Sequence, residues 1–203
     1  MFSLIQAAGW PIWPLIIASV IALAIIAERL WSLRASVVMP NGLLMRAVQE
    51  YRQNGASEAS LSKLAIGSPL GQVLAAGIKN IKSSPAIMKE SIEEAGRAVA
   101  ANLERFLTTL GTIAAVSPLL GLFGTVVGMI EIFGASSPTG NSNPTQLAHG
   151  ISIALYNTAM GLVVAIPSMI FYRHFRGKVD SLLLDMEMQG TKLVEILHGE
   201  RQA

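Results

Sequence analysis

Two hydroxyls are set where chemistry is otherwise scarce: Thr125 in GLFGTVVGM at 121–129 and Thr158 in GISIALYNTAMGLVVAIPSMIFY at 150–172. A threonine does not titrate near neutral pH, so neither can carry a proton by ionising; each can donate to and accept from a group that does. Two readings stand. In the first, each hydroxyl bonds back to a carbonyl of its own helix and serves packing alone. In the second, if the spans carry protons, the titrating acid must come from another polypeptide and the hydroxyls solvate it. The charged form of such an acid costs roughly 2.5–3.5 kcal/mol at mid-bilayer. A proton crossing 100 mV releases about 2.3 kcal/mol, the same order as that cost but below it, and a hydrogen bond from a hydroxyl would lessen the difference. Other chemistry is thinly represented. There is no cysteine, and His149, His174 and His198 have no ligand spacing, so no metal or cofactor is expected. No nucleophile–base constellation is present either, which points away from an enzyme.

The segments that must position these threonines are apolar. The 203 residues are 52% hydrophobic and 14% charged, with a mean hydropathy of +0.51, the balance of a membrane protein. A net charge of +2 without a basic cluster gives nucleic acid nothing to bind. Residues 1–27 carry no charge, and Trp13 and Trp31, 18 residues apart, would stand about 27 Å apart along a helix. That matches a hydrocarbon core with an aromatic at each rim. No basic residue precedes this run, so an uncleaved anchor is expected rather than a signal peptide. Two further uncharged runs, Phe106 to Ile130 and Gly150 to Tyr172, make spans two and three.

Charge then orients the chain. Ten of the Lys and Arg lie from Arg29 to Arg105 and five from Arg173 to Arg201, while the 132–149 connector, rich in Gly, Ser, Pro and Asn, has none. The positive-inside bias predicts an N-terminus on the non-cytoplasmic side with the first span over 1–33, a cytoplasmic helical domain over 34–105, and the second span over 106–131. It further predicts a non-cytoplasmic loop over 132–149, the third span over 150–172 and a cytoplasmic C-terminal helix over 173–203. Glu28 with Arg29 reads as a boundary pair, and Arg173, His174, Arg176 and Lys178 as a basic collar that anchors the third span near lipid headgroups.

The fold expected is all-α, with spans two and three extended as long helices into the cytoplasm. Apolar residues at Met88, Ile92, Ala95, Val99, Leu103 and Phe106 keep helical spacing with nothing to break the helix before span two. Beyond span three, Val179, Leu183, Met186, Gly190, Leu193 and Leu197 form a second seam, suited equally to packing within one subunit or between subunits. Over 40–84, the stretches PNG, QNGAS and GSPLG suggest short helices such as 42–52 and 70–82 joined by turns.

Around Thr125, Gly121, Gly124 and Gly128 lie near one side of span two, with Ala114, Pro118 and Ile132 on the same stripe, and would let another helix approach closely. Span three offers a stripe of Ile151, Leu155, Thr158, Leu162, Ala165 and Met169, with Gly161 beside it and Pro167 near its inner end. Glu131 and His149 flank the connector. They suit interfacial anchoring and capping, with gating of proton entry as the alternative.

GLFGT followed by TAMGLVVAIP resembles the two signature helices of the MotA/TolQ/ExbB proton-channel family, most like ExbB and next TolQ, and the three-span layout fits that resemblance. The resemblance implies a homopentameric inner-membrane stator whose second and third spans surround the single-span helix of an ExbD- or TolR-like partner. That partner would bring a membrane aspartate toward Thr125 and Thr158. Proton flow would then drive a TonB- or TolA-like protein that carries force to the outer membrane. One departure stands out: many family members read GIAEAL where this chain reads GISIAL, with Ile153 in place of glutamate. Any mechanism that requires that glutamate as a relay does not transfer. The alternatives are a passive oligomeric scaffold and, with less to support it, a secondary carrier, since three spans without repeats or intramembrane charge offer little to a substrate.

Overall fold

A computed structural model describes residues 9–135 and 144–199, which are helical throughout apart from turns, with no strand among them. The helices are α1 (Ile12–Ser32), α2 (Ala35–Val38), α3 (Leu43–Asn54), α4 (Glu58–Gly67), α5 (Pro69–Lys79), α6 (Pro85–Leu103), α7 (Leu107–Ala135) and α8 (Pro144–Leu197). Three apolar helical stretches are long enough to cross a membrane, within Ile12–Ser32, Pro85–Gly134 and Gly150–Leu197. The all-α, three-span fold is therefore as the residue pattern requires. Helix α8 runs 54 residues without a break, carrying span three into the polar segment beyond it. The apolar helices continue into the expected connector, α7 through Ala135 and α8 from Pro144, and residues 136–143 lie outside the described set.

The chain divides into two compact units, one from the residues up to Glu28 with Phe106–His174, the other from Arg29–Arg105 with the residues after His174. In the second unit, serines cap the short helices. Ser57, Ser68 and Ser84 accept the backbone N–H groups of Ser60, Gly71 and Ile87, and Pro69 and Pro85 occupy first-turn positions where a missing N–H costs nothing. Gly42 and Gly55 take the left-handed turns expected at PNG and QNGAS. Helix α3 fits the expected 42–52, and α5 begins where expected but stops at Lys79. The 58–67 helix lies outside the expected ones: none of its residues is buried and its apolar spacing is weak.

The core of this unit is the seam between α5, α6 and the distal part of α8. Met88, Ile92, Val99 and Leu103 are buried on α6, as are Val179, Met186, Gly190 and Leu193 on α8. Ile92 fills a notch between two glycines. A Cβ at Gly77 would lie 2.9 Å from Ile92 Cδ1, and one at Gly190 would lie 2.7 Å from Ile92 Cγ2. Here the seam packs within one subunit, the first of the two uses left open for it.

One expectation is corrected. The helix does not run unbroken into span two: α6 ends at Leu103 and α7 starts at Leu107, with Phe106 at φ 65 in the left-handed region. A non-glycine residue there costs about 1–2 kcal/mol, so surrounding contacts must hold it. Arg29 supplies one. It is 6% exposed, and its Nη1 donates to the Leu103 carbonyl at 3.1 Å. The carbonyl is one of those left open at a helix C-terminus, where a cation is favoured by the helix dipole. Arg176 of α8 pairs with Glu104 at 3.5 Å, a half-exposed contact of smaller weight. Arg29 is thus a buried cap on α6, which the boundary-pair reading of Glu28 and Arg29 did not foresee.

Replacing Arg29 by Met should lower stability by about 1.5–3 kcal/mol, the weight of a buried hydrogen bond from a charged donor. Chemical unfolding in detergent measures it. Arg97→Met, at a side chain 71% exposed on α6, should change it by less than about 0.5 kcal/mol.

Candidate functional site

Helices α7 and α8 meet backbone to backbone. A Cβ at Gly121 would lie 2.7 Å from the Asn157 carbonyl oxygen and 3.0 Å from Thr158 Cα. A Cβ at Gly161 would lie 2.6 Å from the Ser117 oxygen and 3.1 Å from Gly121 Cα. Only glycine on both sides permits this approach, the packing that small residues give membrane helices. Gly124 faces the Asn157 side chain, and Gly128 faces Ala154, 3.4 Å from a Cβ built there. At the end near the connector Ile132 lies over Gly150, and at the other end Tyr172 lies over Gly111. Trp10 meets Phe123 edge-on at 5.9 Å, an aromatic contact onto α7.

The glycine stripe of span two therefore faces span three. The face that span three offers in return is Ala154, Asn157 and Gly161, one position round from the expected stripe. Ile151, Leu155 and Leu162 of that stripe are exposed on the single chain, Ala165 is buried, and Thr158 and Met169 are half-buried. The physical reason is side-chain size: close approach selects the smallest residues, and Leu155 and Leu162 would hold the helices apart.

Thr125 is half-buried and its Oγ1 donates to the Leu122 carbonyl at 2.6 Å. Gly121, Thr125 and Gly128 fall on one row of α7, and Ala154, Thr158 and Gly161 on one row of α8. Because Gly121 meets Thr158 and Gly161, and Gly128 meets Ala154, these rows face each other along one edge of the seam. The two threonines occupy the middle places in them. Pro118, half-buried, and Pro167, exposed, lie inside continuous helices. The serine beside each proline is buried and donates to a carbonyl four residues back: Ser117 to Ile113 and Ser168 to Val164, both at 2.7 Å. Glu131 is exposed. The backbone of His149 and of Ile153 is helical, and their side chains lie outside the described set.

Asn157 is the residue that periodicity passed over. It is 1% exposed, a primary amide enclosed between two apolar helices. Its signal was present in the sequence as the only amide between Gly150 and Tyr172. Among the described residues no group of three or more His, Asp or Glu side chains is placed to hold a metal.

A family model described as the MotA/TolQ/ExbB proton channel family matches residues 65–188, the stretch that contains both threonines and the whole glycine seam. The chain belongs to this family. It is 33% identical over 173 residues to an ExbB-like biopolymer transport protein of Synechocystis sp., spanning 84% of this chain and 82% of that one. To the biopolymer transport protein exbB1 of Vibrio cholerae it is 35% identical over 171 residues, 81% of this chain and 74% of the other. To the Tol-Pal system protein TolQ of Haemophilus influenzae it is 36% identical over 99 residues, 49% and 43% of the two chains. With three helices able to span a bilayer, this member of the MotA/TolQ/ExbB family is a multi-pass membrane protein.

The seam makes a direct prediction. Gly121→Ala places a methyl against the backbone of α8 and should force α7 and α8 apart. Gly96→Ala on α6 meets nothing within 4 Å and should be neutral or stabilising by about 0.5–1 kcal/mol. In thermal unfolding in detergent, Gly121→Ala should lower the midpoint and Gly96→Ala should leave it unchanged or raise it.

Proposed function

We propose that this chain is the multi-span subunit of an inner-membrane, proton-driven stator of the ExbB/TolQ type. In this reading it assembles as a homopentamer around the single-span helix of an ExbD- or TolR-like partner and transmits the work of proton flow to a TonB- or TolA-like protein. The charge distribution supports an N-terminus and a 132–149 connector on the periplasmic side, with 34–105 and the C-terminal segment cytoplasmic.

The observation that carries the proposal is a mismatch. The family is one of proton channels, yet residues 106–130 and 150–172 contain no Asp, Glu, Lys, Arg or His. The titrating acid then comes from the partner, and this chain's part is to solvate it. A threonine hydroxyl suits both states of that acid, since it can accept from a protonated carboxyl and, by rotating about its C–O bond, donate to a carboxylate. Thr125 Oγ1, donating to Leu122 O in the single chain, keeps its lone pairs for the first state and can turn its proton out for the second. Thr158 stands beside an exposed apolar stripe of Ile151, Leu155 and Leu162, a face left uncovered for a further helix. No step runs through position 153, where isoleucine excludes a relay.

The same Thr125 bond favours a second reading, a passive scaffold whose threonines serve only packing. The double variant Thr125→Val, Thr158→Val separates them. Co-expressed with a single-span partner that carries a membrane aspartate, it should assemble normally and lose proton-driven output in cells and proton uptake in proteoliposomes. Full output from the double variant would leave the scaffold reading standing.

A further inference from the structure

Asn157 has no task in the function proposed above, and its place is unusual. A Cβ at Gly124 would lie 2.7 Å from Asn157 Cβ, 2.8 Å from Cγ and 3.1 Å from Nδ2, so the amide lies directly on the α7 backbone. Gly124 immediately precedes Thr125, and Asn157 immediately precedes Thr158. The contact that sets these two residues against each other therefore also sets the two threonines.

Rotation is the quantity a membrane helix finds hardest to specify. The contact of Gly161 with Gly121 limits how far α8 can turn, but lipid tails are as apolar as leucine, so within that limit turning α8 exchanges one aliphatic face for another with little change in burial free energy. Leu155, Val163, Ile166 and Ile170 are exposed on the single chain, so α8 is apolar well beyond the face it packs on α7. Ser168 is polar and buried, but its hydroxyl bonds within α8 and would do so at any rotation. An amide is different: turned outward, it would meet acyl chains at a substantial cost.

We infer that Asn157 is a positioning residue, whose amide, seated on Gly124, fixes the rotation of α8 against α7 and so holds Thr158 in the row facing Thr125. What the threonines then do rests on the stator reading; the positioning itself does not.

The chain has no cysteine, so an introduced pair can report rotation without interference. Gly128→Cys with Ala154→Cys suits this, because a Cβ at 128 would lie 3.4 Å from Ala154 Cβ, just under the roughly 3.5–4.5 Å between disulfide Cβ atoms. In the assembled protein in proteoliposomes, this pair should oxidise readily. Adding Asn157→Leu, which keeps the shape and removes the amide, should slow disulfide formation about five-fold or more, the weight of one interhelical polar contact. Asn157→Asp supplies a second test. No Asp, Glu, Lys, Arg or His in 12–27, 106–130 or 150–172 faces the introduced carboxyl. Protonated, it has the shape and polarity of the amide; ionised, it is expelled from the seam. Disulfide formation in that variant should match the Asn157 background at acid pH and fall as pH rises, after correction for thiolate content in the background pair.

An unchanged rate with Asn157→Leu, or a corrected rate independent of pH with Asn157→Asp, overturns the inference. Proton-driven output, read in the same variants without the cysteines, should fall with Asn157→Leu. If the parent chain shows no such output with its partner, the stator reading falls, and the disulfide rates still decide the role of Asn157.

Discussion

The contact between Gly121 and Gly161 is the constraint on which the membrane unit depends. In water, two apolar helices associate by removing surface from solvent; in a bilayer that drive is absent, and contact must come from packing and from polar groups with nowhere better to go. Glycine on both helices lets the backbones approach until each fills the space the other leaves. Every other feature of the seam follows from that distance: Asn157 can reach Gly124, Ala154 can meet Gly128, and the threonine rows lie along a shared edge. Larger side chains at 121 or 161 would leave the threonines on two unrelated helices.

A different chemistry governs the other unit. Its helices are short, capped by serines and prolines, and held by aliphatic side chains around Ile92, with glycines at 77 and 190 making room for it. At the boundary of this unit the chain leaves α6, passes a left-handed Phe106 and enters α7, and the end of α6 is held by Arg29 and by the Glu104–Arg176 pair. A long-range hydrogen bond from α1 to the last turn of α6 ties together two segments 74 residues apart in sequence.

Much of this was legible in the residues. Uncharged runs bounded by Glu28-Arg29, Arg105 and Arg173 mark three spans because charge is excluded from hydrocarbon, and the 3-4 spacing of Met88 to Leu103 and Val179 to Leu193 marks the second core. The glycine stripe of span two was legible for the same reason. What escaped depends on tertiary context. ANLERFLTT contains neither glycine nor proline to announce a break, so Phe106 reads as helix. Arg29 looks like any charge at a span end until a helix terminus is packed on it. Span three is apolar on nearly every side, so periodicity could not choose between the row through Leu155 and the row through Asn157; the demand for small residues opposite Gly121 and the seat of the Asn157 side chain on Gly124 choose together.

On the stator reading proposed above, Thr125 and Thr158 solvate an acid that these spans do not themselves supply. The most direct measurement is a structure of this chain in complex with the single-span partner proposed for it, read for the separation between that partner's membrane carboxyl and the hydroxyls of Thr125 and Thr158. Hydrogen-bond reach, about 2.5–3.0 Å to at least one of them, is the expected result. Both hydroxyls facing acyl chains, with the carboxyl elsewhere, would contradict it.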